Sequence, residues 1–563
     1  MSTERYPQEL IVTVDDFRNS NWREAIDNAG EHGYSRYWDS FSKAARHAME
    51  DGNIAKGKVL WLLADACSMM LKPESLNEPF QPIMVIDGKR SAIPKDFTNP
   101  ALFFFEGILP EIEDYRLKAR IVDMLWLVGQ PRKVQYALSA IDSYIQFPLD
   151  VENLQRDGKD AWHRAIMLAL ILKKGAGDRL QNIRDSIFPK FQAAEFSGAF
   201  NALWLSDLLE IANLEEGRSD DVTAKLSTFA QNAKDAQAWD CAREYFEGTI
   251  RWYKRINKEA EAHHLYVKIA ETWVSEAEQR TSGDNPSNMV AGHFLECAIQ
   301  TFRKIPKKER AAYKVDERIE DLHKKMNLAN KLALDEMRRV ETPGFDISQS
   351  VDSSRNHVTG RNFPEVLLAF ANIHPGANVD KIRESAKKNM QHSILRHLCT
   401  STHLTQDGRV AAKSPGVSFD NADSLEAQQT VWQEMVRNYE RHIGLVVCAS
   451  ILPALELINA EHRLSERTLL SLCRSSHVIP PNRETLWAKG LFLGCERDFV
   501  VSTHLLIPQV EHFVRMILKQ GGLKTTTLDS KGIETENGLS ALLDNPDIEK
   551  VMDKNLIFEF KAL

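Results

Sequence analysis

The chain has 563 residues, 43% of them hydrophobic and 27% charged, with a net charge of −8. That is the composition of a globular protein with room for roughly two to four domains, and its sign excludes any overall attraction to nucleic acid or anionic lipid, so RNA binding needs a local basic patch. No apolar run approaches the ~18–20 residues that span a bilayer, the N-terminus has no basic-then-apolar leader pattern, and the seven cysteines stand singly without zinc spacing; the expectation is a cytoplasmic protein with reduced thiols, no membrane and no metal or cofactor.

Long amphipathic patterns dominate, and the fold expected is all-α with minor β-hairpins. Helices are read around Tyr37 and Phe41, then around Val59 and Leu63. A Pro-rich connection (Pro73, Pro79, Pro82, Pro94, Pro100) follows, with a hairpin at Met84-Val-Ile-Asp-Gly-Lys. Further helices are expected over roughly 101–145, 159–174, 178–214 and 219–340. Within them Ala242-x-x-Tyr245-Phe246-Glu247-x-Thr249-Ile250-x-x-Tyr253 recurs 49 residues on as Ala291-x-x-Phe294-Leu295-Glu296-x-Ala298-Ile299-x-x-Phe302, with an echo at Ala140-Ile141-x-x-Tyr144. The stripe resembles tetratricopeptide-like helix pairs, but its spacing departs from their ~34-residue period. An irregular helical-repeat region over 1–340 is the result.

Residues 341–362 are polar with Pro and Gly and read as a linker or exposed loop. They open a segment, 341–423, that is linker and small mixed structure, with Asp407-Gly408 marking a hairpin near 403–413. A helical domain follows over 424–563, beginning with a long helix from Ser424 to His462 that Pro453 should kink.

Two patterns in that domain could carry chemistry. Gly490 and Gly494 sit four apart on one helix and invite close packing, Asp498 can cap the next helix, and that helix places His504, Pro508, Glu511 and Arg515 on one polar face. His504, Glu511 and Arg515 are therefore candidates for contacting a phosphate-bearing substrate, against the plainer reading of an exposed His and a surface ion pair. Separately, Arg437-Asn438-Tyr-Glu-Arg-His442 spells Arg-Asn-x-x-x-His. Arg437 and His442 point about 140° apart on a regular helix, and three fixed positions match by chance easily. His263-His264 and the pair His392 and His397 lack partners at ligand spacing, and the basic run Lys304–Lys325 is interleaved with acids like a solvated face.

The run Arg483-Glu484…Ala488-Lys489-Gly490-Leu491…Gly494…Asp498-Phe499…His504-Leu505-Leu506-Ile507-Pro508-Gln509-Val510-Glu511…Arg515, with Leu528-Asp529-Ser530-x-Gly532-Ile533…Leu539-x-x-Leu542 after it, resembles a C-terminal domain-of-unknown-function family marked by an Arg-Asn-x-x-x-His-Gly signature. An animal protein named for ER-membrane-associated RNA degradation shares that domain. The resemblance covers about 80 to 100 residues, more loosely from Trp432 onward. It implies a HEPN-like (higher eukaryotes and prokaryotes nucleotide-binding) bundle and a metal-independent ribonuclease, plausible as a bacterial defence or toxin-like effector, with the N-terminal repeats sensing a trigger. In the family the signature Arg holds the scissile phosphate and the His moves protons while the ribose 2′-OH attacks. The signature belongs after the helix read over 555–563, so the chain is expected to be cut short and inactive as it stands, with RNA, a protein partner or a second copy as its partners. The competing expectation is a non-catalytic scaffold or regulator whose open bundle recruits a protein.

Overall fold

The computed structural model describes residues 6–7, 9–30, 33–86, 89–197, 200–214, 216–282, 286–337, 344–391, 401–405, 407–414 and 425–562. Helices make up nearly all of its regular structure, and the strands among these residues form four separate two-stranded antiparallel ladders. The chain divides into two units, Met1–Glu336 and Met337–Leu563.

In the first unit, helix Ile54–Cys67 buries Val59, Leu60, Leu62 and Leu63 on every side, as a central core helix does. Asn53 starts it by accepting from the Lys56 amide at 3.2 Å. Helices Tyr115–Val128 and Lys159–Leu172 meet through a bidentate Arg164–Asp123 pair, Nε and Nη2 each at 2.9 Å, with the Tyr144 hydroxyl donating to the same carboxylate at 3.0 Å. Both ionic side chains are wholly buried. The turn Val85–Ile86/Lys89–Arg90 is the hairpin expected near residue 84; its tip, Asp87-Gly88, lies outside the described residues.

Helices Glu216–Asp235, Trp239–Arg255, Glu259–Ser282, Asn288–Arg303 and Val315–Glu336 then stack, each against the next. Gln237 and Asn257 make the tight reversals with positive φ, 57° each. The repeat falls on two helices of this stack, and its equivalent positions Ala242 and Ala291, Phe246 and Leu295, Ile250 and Ile299 are all buried. Small residues let the helices approach while the larger ones interlock.

The second unit places helices within the segment 341–423. Its polar start holds a helix, Ser348–Val358, entered through a turn in which Asp346 accepts from the Ser348 amide at 2.9 Å. Ser354 and Val358 face inward, and the Ser354 hydroxyl donates to the Ser450 carbonyl at 2.6 Å. Composition marked the exposed side of that helix and missed its thin buried edge. Helices Phe363–Ala371 and Val379–Gln391 follow, then the expected hairpin, Ser401–Leu404 against Val410–Ser414 with Gly408 at φ 82°.

Helix Leu425–Val446 runs through a π turn, Val447–Ile451, into Leu452–Glu461. The π turn absorbs Pro453, whose missing amide falls at the start of the next segment. The whole, Ala427–Glu461, is long and apolar enough by length and composition to cross a membrane, and only 28% of its most apolar window is buried. That departs from the expectation that no such run exists. Glu466–Ser475, Glu484–Cys495 and Phe499–Gln520 follow, then the hairpin Thr526–Leu528/Glu534–Glu536 and helices Leu539–Leu543 and Lys554–Ala562. The final helix buries Ile557, Phe558 and Ala562, with Leu556 and Phe560 only partly covered. Phe558 packs its ring 5.3 Å from both Trp432 and Tyr439; Leu563 lies outside the described residues.

Candidate functional site

Glycine, cap and polar stripe are where the sequence places them, and the stripe divides. A Cβ on Gly490 would come within 2.6 Å of Leu506, and one on Gly494 within 3.1 Å of the Ser502 hydroxyl, so both glycines serve close helix packing. Ser502 donates to the Gly490 carbonyl at 2.8 Å across that contact. Asp498 caps the helix by accepting from the Val501 amide at 3.2 Å.

Arg515 is buried and tied down through Nη2, which donates to Glu511 at 2.6 Å and to the Asn537 carbonyl at 2.9 Å, while Nε lies 3.4 Å from Glu536 without a hydrogen bond. Glu511 in turn accepts from the Leu539 amide at 3.3 Å. These two residues fasten the 526–536 hairpin to its helix. His504 stands apart, exposed, with its Nδ1 2.8 Å from the Val500 carbonyl of its own helix. His512, which the sequence did not single out, lies near Arg483 and Arg515; burial, then those two cations, hold its imidazole below the usual range.

The Arg-Asn-x-x-x-His hexapeptide occupies helix Leu425–Val446 and also divides. Arg437 turns to Glu434, Nη1 to Oε2 being 3.7 Å. Asn438 and His442, one helical turn apart, line a cavity of about 340 Å3 together with Gly376, Ala377, Asn378, Lys381, Ile382, Ser385 and Tyr439. No carboxylate lines it. The final helix braces two of the lining residues from behind: Glu559 accepts from the Tyr439 hydroxyl at 2.9 Å and the Ala377 amide at 2.6 Å, while Asn555 accepts from the Val379 amide at 2.9 Å. Burial, then the Glu559 carboxylate, push the Tyr439 phenol up and keep it protonated.

Two polar atoms beside this cavity are shut off from solvent without a hydrogen-bond partner, Asn438 Nδ2 and His374 Nε2. The His374 ring, on the turn leading to Gly376, lies 5.5 Å from that of His442. An unmade hydrogen bond at such a place costs about 1–3 kcal/mol. His374, Lys381 and Glu559 were not legible as site residues, because the first two lie some sixty residues before His442 and the third more than a hundred after it.

Other candidates are satisfied internally. In the first unit a larger polar groove of about 840 Å3 lies beside helices Trp22–Ala29 and Tyr34–Glu50, with Lys43 paired to Asp39 at 2.7 Å. None of its lining side chains is an orphan. His263 bonds Glu309 at 2.8 Å and His264 packs on Tyr313. Much of the basic run is paired, Arg310 with Asp316, Arg318 with Glu271 and Lys324 with Glu320. Among the described residues no three His, Cys, Asp or Glu side chains gather to hold a metal; His392 and His397 lie outside them.

Comparison with known proteins adds little chemistry. A family model described as a domain of unknown function (DUF7380) matches residues 7–181. No curated protein matches. Among solved structures the chain is similar to a circular tandem repeat protein with novel repeat topology and enhanced subunit contact surfaces. Identity there is 12%, 93% of this chain and 97% of that one are covered, and the TM-score is 0.13. At that score the helical-repeat description stands on this chain's own stacked helices. The family match ends inside the first unit, short of every residue discussed for the second.

Proposed function

We propose that the second unit acts on RNA as a metal-independent ribonuclease, with Asn438 and His442 at its working cavity. The observation that carries this reading is the cavity itself: an imidazole and an unpartnered amide donor share one helix face on a wall free of carboxylates. An anionic phosphodiester suits such a wall electrostatically, and a carboxylate-bearing one would repel it. The resemblance of residues 483–542 to the HEPN-like family supports the same class of substrate. The reading needs no residue beyond Leu563. In it the first unit's helical stack is the recognition module that selects the trigger, a proposed role in bacterial defence or toxin-like activity.

The test is cleavage of a single-stranded RNA oligonucleotide by the purified chain in excess EDTA. Wild type cleaves, and His442→Asn and Asn438→Ala lower kcat/KM by about 10²-fold or more. A wild-type rate equal to background, or a His442→Asn variant as active as wild type, refutes the assignment.

A second reading, a scaffold that binds a protein or a second copy, has one specific support. Phe499, Val500, Val501 and Ile507 lie exposed on one helix, an apolar grouping of the kind that recruits partners. It expects the chain to self-associate or to hold a stoichiometric partner, and Ile507→Glu to abolish that. A monomer at high concentration with no partner contradicts it.

A further inference from the structure

We infer that a second, smaller cavity in this unit binds a free α-amino acid with a large apolar side chain, its ammonium on Asp544, its carboxylate on Lys561 and its side chain against Trp432 and Phe560. The cavity measures about 320 Å3 and forms where three helices meet. Helix Leu425–Val446 contributes Trp432, and helix Leu539–Leu543 contributes Leu539, Ser540 and Leu543, with Asp544 at its C-terminal cap. The final helix, Lys554–Ala562, adds Phe560 and Lys561. This cavity is distinct from the one at His442. Trp432 and Tyr439 lie about two turns apart on one helix, and the Phe558 ring packs between them, 5.3 Å from each. The inference goes beyond the ribonuclease reading and does not rest on it.

The sequence sets two kinds of wall side by side. Leu539 and Leu543 are one helical turn apart, as are Ser540 and Asp544, so one short helix presents an apolar pair next to a polar pair. Leu543 is buried, while Trp432, Leu539 and Phe560 are only partly covered. Apolar surface is thus left open to water, and a ligand that fills the cavity shields it. The two charges stand together, Lys561 Nζ donating to Asp544 Oδ1 at 2.7 Å. The Asp544 side chain is 73% exposed and that of Lys561 29%, and a pair so open contributes little and parts easily. A ligand with a carboxylate alone meets the like charge of Asp544, and one with an amine alone meets that of Lys561. A zwitterion exchanges one ion pair for two, ammonium on Asp544 and carboxylate on Lys561, each with a charge-assisted hydrogen bond. Its side chain then packs against the Trp432 and Phe560 rings. At about 320 Å3 the cavity is at the small end of ligand sites, which suits a single amino acid rather than a peptide.

The experiment is isothermal titration calorimetry on the full chain, without RNA, using L-phenylalanine, glycine, 3-phenylpropanoate, phenethylamine and N-acetyl-L-phenylalaninamide. L-Phenylalanine is expected to bind once per chain. Phenylpropanoate and phenethylamine, each lacking one of its charges, bind about 10-fold more weakly or worse, and glycine and the uncharged amide give no measurable heat. Lys561→Met and Asp544→Asn, both at the open rim, leave the fold intact and weaken L-phenylalanine about 10-fold or more. Leu539→Glu puts a further charge in the cavity and removes binding. No binding of L-phenylalanine at saturating concentration overturns the inference. So does equal affinity for the uncharged amide, or rim variants that bind as wild type does. Neither rim substitution touches the wall at Asn438 and His442, so RNA cleavage by both variants stays at the wild-type rate, and failure of this inference leaves the ribonuclease reading as it stands.

Discussion

The two units bury their chains differently. In the first, two apolar clusters, a large one from Tyr6 to Ile269 and a smaller one from Ala270 to Ala329, make the core, and ionic groups are locked into the large one, as Arg164 is to Asp123. In the second, the core is broken into small groups around Val514 and Leu518, Met435 and Phe558, Val366 and Ile458, and Leu469 and Ala488. Orphan polar atoms occur in both, with a different consequence. Arg120 in the first unit lacks partners at Nε and Nη1, but its guanidinium lies 3.8 Å from the Tyr34 ring centroid and 5.0 Å from that of Phe80. Those ring faces partly replace the missing acceptors. Asn438 Nδ2 belongs to a side chain that lines a cavity. A continuous core can absorb an odd polar group; a divided one leaves a gap between its parts, and gaps are where ligands enter.

The contrast is broken most severely at Arg164. Arg164→Met leaves Asp123 buried with only Tyr144 beside it and should cost ~3–5 kcal/mol, read as lost amide-exchange protection across helix Tyr115–Val128. In the second unit the worst comparable loss is smaller. Arg515→Ala removes the clasp to Glu511 and Asn537 and should cost about 2 kcal/mol, with faster exchange confined to the 526–536 hairpin. Gly490→Ala forces Leu506 aside while gaining helix propensity, a net loss of about 1 kcal/mol seen as a small fall in the denaturation midpoint.

The last effect has the opposite sign. Burial, with Glu74 and Asp157 adding to it, raises the Asp160 carboxyl to about 6. Its folded state therefore holds a proton that the unfolded chain, titrating near 4, has already lost, so stability falls as pH rises between about 4 and 6. Asp160→Asn should remove that fall and raise stability at pH 7 by up to about 3 kcal/mol, measured as midpoint against pH. A variant that leaves the slope unchanged contradicts the assignment.

Much of the fold was legible because local rules decide it. The 49-residue echo, the Asp407-Gly408 turn, the Asp498 cap and the paired glycines each announce a structure within a few residues of themselves. The helix Ser348–Val358 was not legible, since its buried edge is only Ser354 and Val358. The site was half legible for a related reason. Helical spacing showed that Arg437 and His442 diverge, but the partners that give His442 a setting, His374 and Lys381, come from a turn and a helix some sixty residues earlier. Spacing also showed Glu511 and Arg515 as a pair without showing the hairpin that occupies them.

The most direct test of the account is to see where a phosphodiester sits. A structure of the full chain with the dinucleotide 2′-deoxyuridylyl-adenosine, which cannot be cleaved by a 2′-hydroxyl, should place its phosphate in the cavity lined by Asn438, His442 and Lys381. A phosphate bound instead beside Arg483, His512 and Arg515, or none bound in the cavity at saturating dinucleotide, would contradict it.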